Sequence, residues 1–343
     1  MISCSSGSTS AAVRNLRHRC ARGSAVLTLL GVAAAAWMCP PARAAGPAYP
    51  LSDLSRLGPA DRLLIVAPHP DDETLCCAGV IYRTLQAHGT VAIVWLTNGD
   101  AFKLDAGITE RTLHPGEAGL RALGLRRMHE ARAAATALGV PAELQYFLGF
   151  PDGGLLTLLL DHFYVTFASP HTGLARVEYP GTIAPEAAYQ GRNLQAELIQ
   201  ILDRFGPTVV LAPSPLDEHP DHRATGDLAI RVLGERDQLS RLRYWIVHGG
   251  TYWPAPRGLH PTLSMTPPRG ARDMQWESVP LNEAARSVKL AALRAHDSQM
   301  FGLERHFLLS FVRGNELFAR RPLPEVVPTP KLDPEDAPTA ASR

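Results

Sequence analysis

The chain is poor in cysteine. Five occur in 343 residues: Cys4, Cys20, Cys39, Cys76 and Cys77. Three lie before residue 45, and the remaining two are neighbours that cannot join distant segments. A disulfide-stapled framework is therefore excluded, and stability has to come from a packed core. Acidic residues are absent from residues 1–44, which hold Arg14, Arg17, Arg19, Arg22 and Arg43. Beyond that stretch, 29 basic residues stand against 33 acidic ones, a net charge of −4. No basic stripe is left, which argues against nucleic acid as a partner. There is no internal repeat and no heptad pattern. A membrane-length apolar run is also missing. Residues 25–38 are apolar but fall short of the roughly 20 residues that a span requires.

What the first 44 residues do contain is an order. Basic residues come first, then the apolar run, then Ala42-x-Ala44, a small-x-small cleavage pattern. That order predicts an export signal removed near Ala44, with the mature protein in the periplasm or outside the cell and without a stable membrane span. Retention as an uncleaved anchor is the alternative. No two arginines are adjacent, so a twin-arginine signal is not supported. Met38 is bulky where a lipoprotein signal at Cys39 needs a small residue.

Residues 45–60 read as a lead-in, 61–321 as one α/β domain, and 322–343, rich in Pro, Ala and charge, as a disordered tail. Within the domain, strands at 62–67, 91–96, 145–150, 208–212 and 242–247 alternate with helices at 73–88, 126–138, 194–204, 223–233 and 283–296. Residues 155–190 lack clear periodicity and read as an insertion on the side of the site. The alternation predicts a Rossmann-like, mostly parallel sheet with helices on both faces and the site at the C-terminal strand ends.

Two segments carry chemistry. The apolar run Leu63-Leu64-Ile65-Val66 stops at His69-Pro70-Asp71-Asp72-Glu73, and Val209-Val210-Leu211 runs into His219-Pro220-Asp221-His222. Each reads as a buried strand ending in a tight, Pro-containing turn. His69 and Asp72 are three apart, so both side chains can enter one pocket, and His222 can add a third ligand. Two imidazoles and a carboxylate, with an open position, suit a catalytic metal such as zinc. Asp71 can then serve as general base, and His219 as proton or hydrogen-bond donor to a developing oxyanion. A blander role is also open: Asp71 or Asp72 capping one helix, and Asp221 capping another.

These motifs resemble those of the PIG-L (LmbE-like) de-N-acetylases, Rossmann-like zinc enzymes that remove acetyl from N-acetylglucosamine units. The family's AHPDDE is here Pro68-His69-Pro70-Asp71-Asp72-Glu73, and its HPDH is intact at 219–222. Weaker matches are Thr97-Asn98-Gly99, Arg127-x-x-Glu130, Leu148-Gly149-Phe150-Pro151-Asp152-Gly153 and Lys289…His296-x-Ser298-Gln299. The resemblance covers roughly residues 61–300. It implies His69, Asp72 and His222 as metal ligands, Asp71 as base and His219 facing the oxyanion and leaving amine. It also implies Zn2+ as cofactor, with Fe2+ as the alternative, and an N-acetylated sugar or glycoconjugate as substrate. Arg127, Asp152 and His296 would hold sugar hydroxyls, with Gln299 nearby. His248 follows a strand and could border the pocket, and Tyr252-Trp253 could stack on a sugar face. Departures are Pro68 before His69, and Cys76-Cys77-Ala78 where the family has a Gly-rich turn of helix. The expected function is an exported metal-dependent deacetylase. The rivals are an amidase for another N-acyl or thiol-conjugate substrate and a non-catalytic carbohydrate-binding protein. A phosphatase or nuclease would call for two metals and more carboxylates.

Overall fold

The computed structural model describes residues 53–102, 107 and 114–320. The expected export signal and disordered tail lie outside the described residues. Seven strands form one sheet in the order β3-β2-β1-β4-β5-β7-β6. β1 (Arg62–Ala67), β2 (Thr90–Thr97), β3 (Gln145–Phe150), β4 (Val209–Pro213) and β5 (Leu242–Trp245) are parallel. The apolar, β-branched runs of β1, β2 and β4 are buried on both faces, as parallel strands flanked by helices must be. β6 (Gln275–Pro280) and β7 (Asn315–Arg320) complete the edge as antiparallel strands.

The chain leaves β1 through α1 (Asp72–Gln86), β2 through α2 (Gly116–Leu138), and β3 through α3 (Leu155–Leu160) and α4 (Gly191–Phe205). It leaves β4 through α5 (Pro220–Gly234), and α6 (Glu283–Ala295) and α7 (Gly302–Leu309) follow β6. Right-handed crossovers on a sheet that runs outward both ways from β1 put α1 and α2 on one face and α4 and α5 on the other. The ends of β1 and β4 diverge there, which opens a crevice above their carboxyl ends.

Four elements depart from the sequence expectation. α2 begins ten residues earlier than 126. Gly116, Gly119 and Gly124 weaken its helical pattern, but Gly124 serves a close approach: a Cβ there would lie 3.0 Å from both Asp100 Cβ and Tyr179 Oη. β6, β7 and α7 were not anticipated at all. β7 is short and opens with Asn315-Glu316, polar residues whose burial depends on partners far away in sequence.

One such partner is Lys289. Its ammonium, fully buried, donates to Glu316 Oε1 at 2.7 Å and to the Leu75 carbonyl at 2.7 Å. Glu316 also accepts from the Gly79 and Val80 amides of α1. A Cβ at Gly79 would stand 2.2 Å from Leu281 Cδ2 and 3.0 Å from Glu316 Oε2, so glycine permits the approach. The pair ties α1, α6 and β7 together beneath the site. Cys76 and Cys77 lie in the same stretch of α1, buried and bonded to each other. Lys289→Met strands the Glu316 carboxylate in the core. Urea denaturation should show a loss of about 3–5 kcal/mol, with native circular dichroism kept at zero denaturant. A loss below about 1 kcal/mol would mean that the pair does not hold these elements.

Candidate metal and catalytic site

β1 delivers His69, Asp71 and Asp72 into the crevice, and the turn after β4 delivers Asp217, His219 and His222. Asp72 Oδ2 lies 3.2 Å from His69 Nδ1 and 3.3 Å from His222 Nε2. His69, His219 and His222 present nitrogens that could hold a metal ion together. His222 Nε2 is buried and makes no hydrogen bond, although the Asp72 carboxylate is beside it. An orphaned imidazole nitrogen converging on a second imidazole and a carboxylate fits a divalent cation of the zinc class.

The other ring nitrogens are occupied by carboxylates. His222 Nδ1 is 3.2 Å from Asp217 Oδ2. His69 Nε2 is 3.1 Å from Asp152 Oδ1 and 3.3 Å from Asp221 Oδ2. Such partners fix ring orientation and raise ligand basicity. They also build two overlapping groups, Asp217–His222–His248 and His69–Asp152–Asp221. The carboxylates of those groups are already committed: Asp217 Oδ2 accepts from the Val247 and His248 amides, and Asp221 from Gly153 and Leu155. We therefore read them as supports. Without a cation, burial opposes protonation of His222, but Asp217 and Asp72 outweigh it and push its pKa up to about 10. Burial likewise opposes protonation of His69, which Asp152, Asp221 and Asp72 raise well above the usual value. The proton thus occupies a place that a cation can take.

Capping does not account for the acidic residues. Asp71 precedes α1 but makes no side-chain cap bond, and it sits at φ 119°, ψ −31°, a conformation that costs energy for a residue with a Cβ. The surrounding bonds hold it there. Its amide donates to Glu73 Oε2, and the Arg127 guanidinium donates to the Pro70 carbonyl and lies 3.6 Å from Asp71 Oδ2. Burial, then the charge of Asp72, pushes the Asp71 pKa up to about 7, while Arg127 and His296 oppose the rise. Asp221 lies inside α5, and the cap is His219, whose Nδ1 accepts from the Asp221 amide at 3.2 Å. Burial and the neighbouring imidazoles push the His219 pKa down to about 3, so its ring is neutral. With Nδ1 accepting, the proton resides on Nε2.

His69, Asp71, Asp72 and His219 line a cavity of about 330 Å³ together with Leu75, Phe102, Val247, His248, Glu304 and Phe307. Asp152 and Arg127 also line it. Asp152 is committed to His69 and to the Ala101 amide, and Arg127 to the Gly99 and Pro70 carbonyls. Both position the site at least as much as they face a ligand. His296, expected to hold substrate, is not on the cavity. It is buried and meets Glu73 Oε1 at 3.1 Å, behind Asp71. Gln299 does line the cavity, and its buried Oε1 has no partner.

Several residues escaped the sequence reading. Asp217, two positions before His219, orients His222. A carboxylate in the same short turn as two histidines was the available signal. Glu73 joins the Asp71 amide, Trp95 Nε1 at 2.8 Å and His296. Glu304 and Phe307 come from α7, and no motif marks them.

Residues 64–233 match the family model described as PIG-L: GlcNAc-PI de-N-acetylase. That segment carries the PIG-L family pattern. Over 211 residues the chain is 31% identical to the 1D-myo-inositol 2-acetamido-2-deoxy-alpha-D-glucopyranoside deacetylase of Mycobacterium sp. (strain KMS), covering 60% of this chain and 59% of that one. Over 175 residues it is 26% identical to the diacetylchitobiose deacetylase of Thermococcus kodakarensis, covering 50% and 49%. The chain thus spans only about half to three-fifths of the length of these curated relatives. A solved deacetylase of the teicoplanin biosynthesis pathway aligns with a TM-score of 0.49 at 19% identity, over 75% of this chain and 96% of that one.

Asp217→Asn removes the charge that orients His222 while keeping the side chain's shape. Metal affinity, measured by competition with a fluorescent chelator, should fall about 10–100-fold with the melting profile preserved. Unchanged affinity would show that Asp217 has only a structural part.

Proposed function

We propose that this protein is a metal-dependent hydrolase that removes acetyl from an N-acetylated amino sugar after export from the cytoplasm. The observation that carries the proposal is the convergence of His69, Asp72 and His222 beside a carboxylate and a neutral imidazole that both face the same cavity. The match of residues 64–233 to the family model and the names of two relatives, deacetylases of diacetylchitobiose and of a 2-acetamido-2-deoxy-glucopyranoside, support the substrate class. No helix among the described residues is long and apolar enough to cross a membrane.

His69, Asp72 and His222 would hold zinc, with ferrous iron as the alternative. Such an ion polarises an acyl carbonyl and lowers the pKa of water at the site. The chain's own groups do the rest. Asp71, with its pKa near 7, takes the proton of the attacking water as the new C–O bond forms. His219 Nε2–H donates to the carbonyl oxygen as it gains negative charge, a contact that strengthens toward the transition state. Collapse breaks the C–N bond, and the nitrogen takes up the proton held by Asp71, leaving acetate and an amine. Arg127 keeps Asp71 in its strained geometry through Pro70. The cavity volume lies near the lower end of ligand sites, roughly 300–1,000 Å³, which suits one sugar ring.

The test is acetate release from a panel of N-acetylated sugars, with and without chelator. Release that a chelator abolishes and added metal restores supports the reading. Release of a different acyl group, with acetyl substrates inert, would favour the wider amidase reading. Three variants assign the roles. Asp71→Asn should keep its metal and lose about 10²–10⁴-fold in kcat. His219→Ala should behave alike, and Asp72→Asn should lose metal. Metal lost from Asp71→Asn but kept by Asp72→Asn would reverse the two carboxylates.

The export half rests on residues 14–44 alone. N-terminal sequencing of protein from its native host should find a start near Ala45 outside the cytoplasm. Cytosolic protein that still begins at Met1 would refute export.

A further inference from the structure

A second cavity, of about 450 Å³, adjoins the first and shares no lining residue with it. The two meet across one layer of backbone. His219 and His248 face the catalytic cavity, while their chain neighbours Glu218 and Gly249 face the second. The Glu218 amide bonds the His248 carbonyl at 2.9 Å and fastens the partition. The far wall is equally built. Trp253 Nε1 donates to the Thr266 carbonyl at 2.7 Å, and a Cβ at Gly249 would come within 2.5 Å of Pro268 Cβ and 2.9 Å of Trp253 Cε3. Only glycine lets that turn close on the tryptophan.

The lining has a chemical bias. Arg269 and Arg272 bring two guanidinium groups, both exposed, and neither makes an ion pair among the described residues. Glu218 is the one carboxylate on the lining. Tyr252 stands beside them 84% exposed, although a ring of that size is normally half covered or more. Unpaired arginines bind carboxylates and phosphates in charge-assisted, often bidentate pairs. An uncovered tyrosine offers a flat apolar face with a polar edge.

We infer that this second cavity is a binding site for an acidic sugar residue, held by Arg269 and Arg272 and stacked on Tyr252, so that the protein favours a glycan whose N-acetylated unit adjoins an anionic one. The saccharide class rests on the proposed de-N-acetylase reading, whereas the anion preference rests on the cavity itself. The site would receive a part of the substrate remote from the reacting amide.

Calorimetric titration of the metal-loaded protein carrying Asp71→Asn, so that turnover does not intervene, tests it. The probes are a tetrasaccharide alternating N-acetylglucosamine with glucuronate and the neutral N-acetylglucosamine tetramer. The acidic probe should bind about tenfold or more tightly than the neutral one. An Arg269→Ala/Arg272→Ala variant should lose that preference while melting as the parent does. Tyr252→Ala should weaken both probes severalfold. Equal affinity for the two probes, or a preference that survives loss of both arginines, would overturn the inference. Acetate release is scored separately. Arginine-dependent preference without deacetylation of any sugar would sustain the binding site and sink the enzymatic reading. Deacetylation without the preference would do the reverse.

Discussion

Asp72 Oδ2 sits within 3.3 Å of imidazole nitrogens from two different turns, one after β1 and one after β4. Much of the surrounding structure can be understood as what such crowding requires. Five aspartates and four histidines meet here with little water to screen them. Buried charges at these distances are tolerated only if each has a partner. Asp217, Asp152 and Asp221 supply partners for the far sides of the rings, and each is itself held by backbone amides. The same amides bind the loops after β3 and β5 to the centre. Electrostatic compensation and loop placement are thus one set of contacts.

The strained Asp71 follows from the same crowding. A second carboxylate beside Asp72 would relax away by repulsion if its backbone were free. Glu73 and Arg127 prevent that, and Glu73 is in turn fixed by Trp95 and His296. Trp95 stacks on Phe147 at 4.4 Å, so the brace reaches into the sheet core. Rigid support behind a strained acidic group is how a fold keeps a base poised with its carboxylate only partly ionised near neutral pH.

The distant motifs gain their sense from this arrangement. Arg127 and Glu130 lie one turn apart on α2. Arg127 braces Pro70, and Glu130 accepts from the Ser298 amide and hydroxyl. Ser298 follows His296, which meets Glu73. The Arg-x-x-Glu and His-x-Ser-Gln segments therefore form a bracket around Asp71, and most of their residues never reach the cavity. His296 looked like a substrate contact because sequence records residue type and not the direction in which a side chain leaves its helix.

The parallel core, the two His- and Asp-rich turns and the crevice between them were legible in the chain. Long β-branched runs that stop at His- and Asp-rich turns leave few other arrangements, because the period, the burial and the turn chemistry are all local. The sequence also singled out His69, Asp71, Asp72, His219 and His222 as the residues to meet there. Tertiary structure alone decided which ring nitrogen each carboxylate takes, that His219 caps α5 and so carries its proton on Nε2, and that α7 closes the cavity with Glu304 and Phe307. It also decided that β7 inserts between β5 and β6. Those outcomes depend on pairings such as Lys289 with Glu316 and Asp217 with His222. Their energies come from burial and mutual approach, and neither is written in the spacing of residues along the chain.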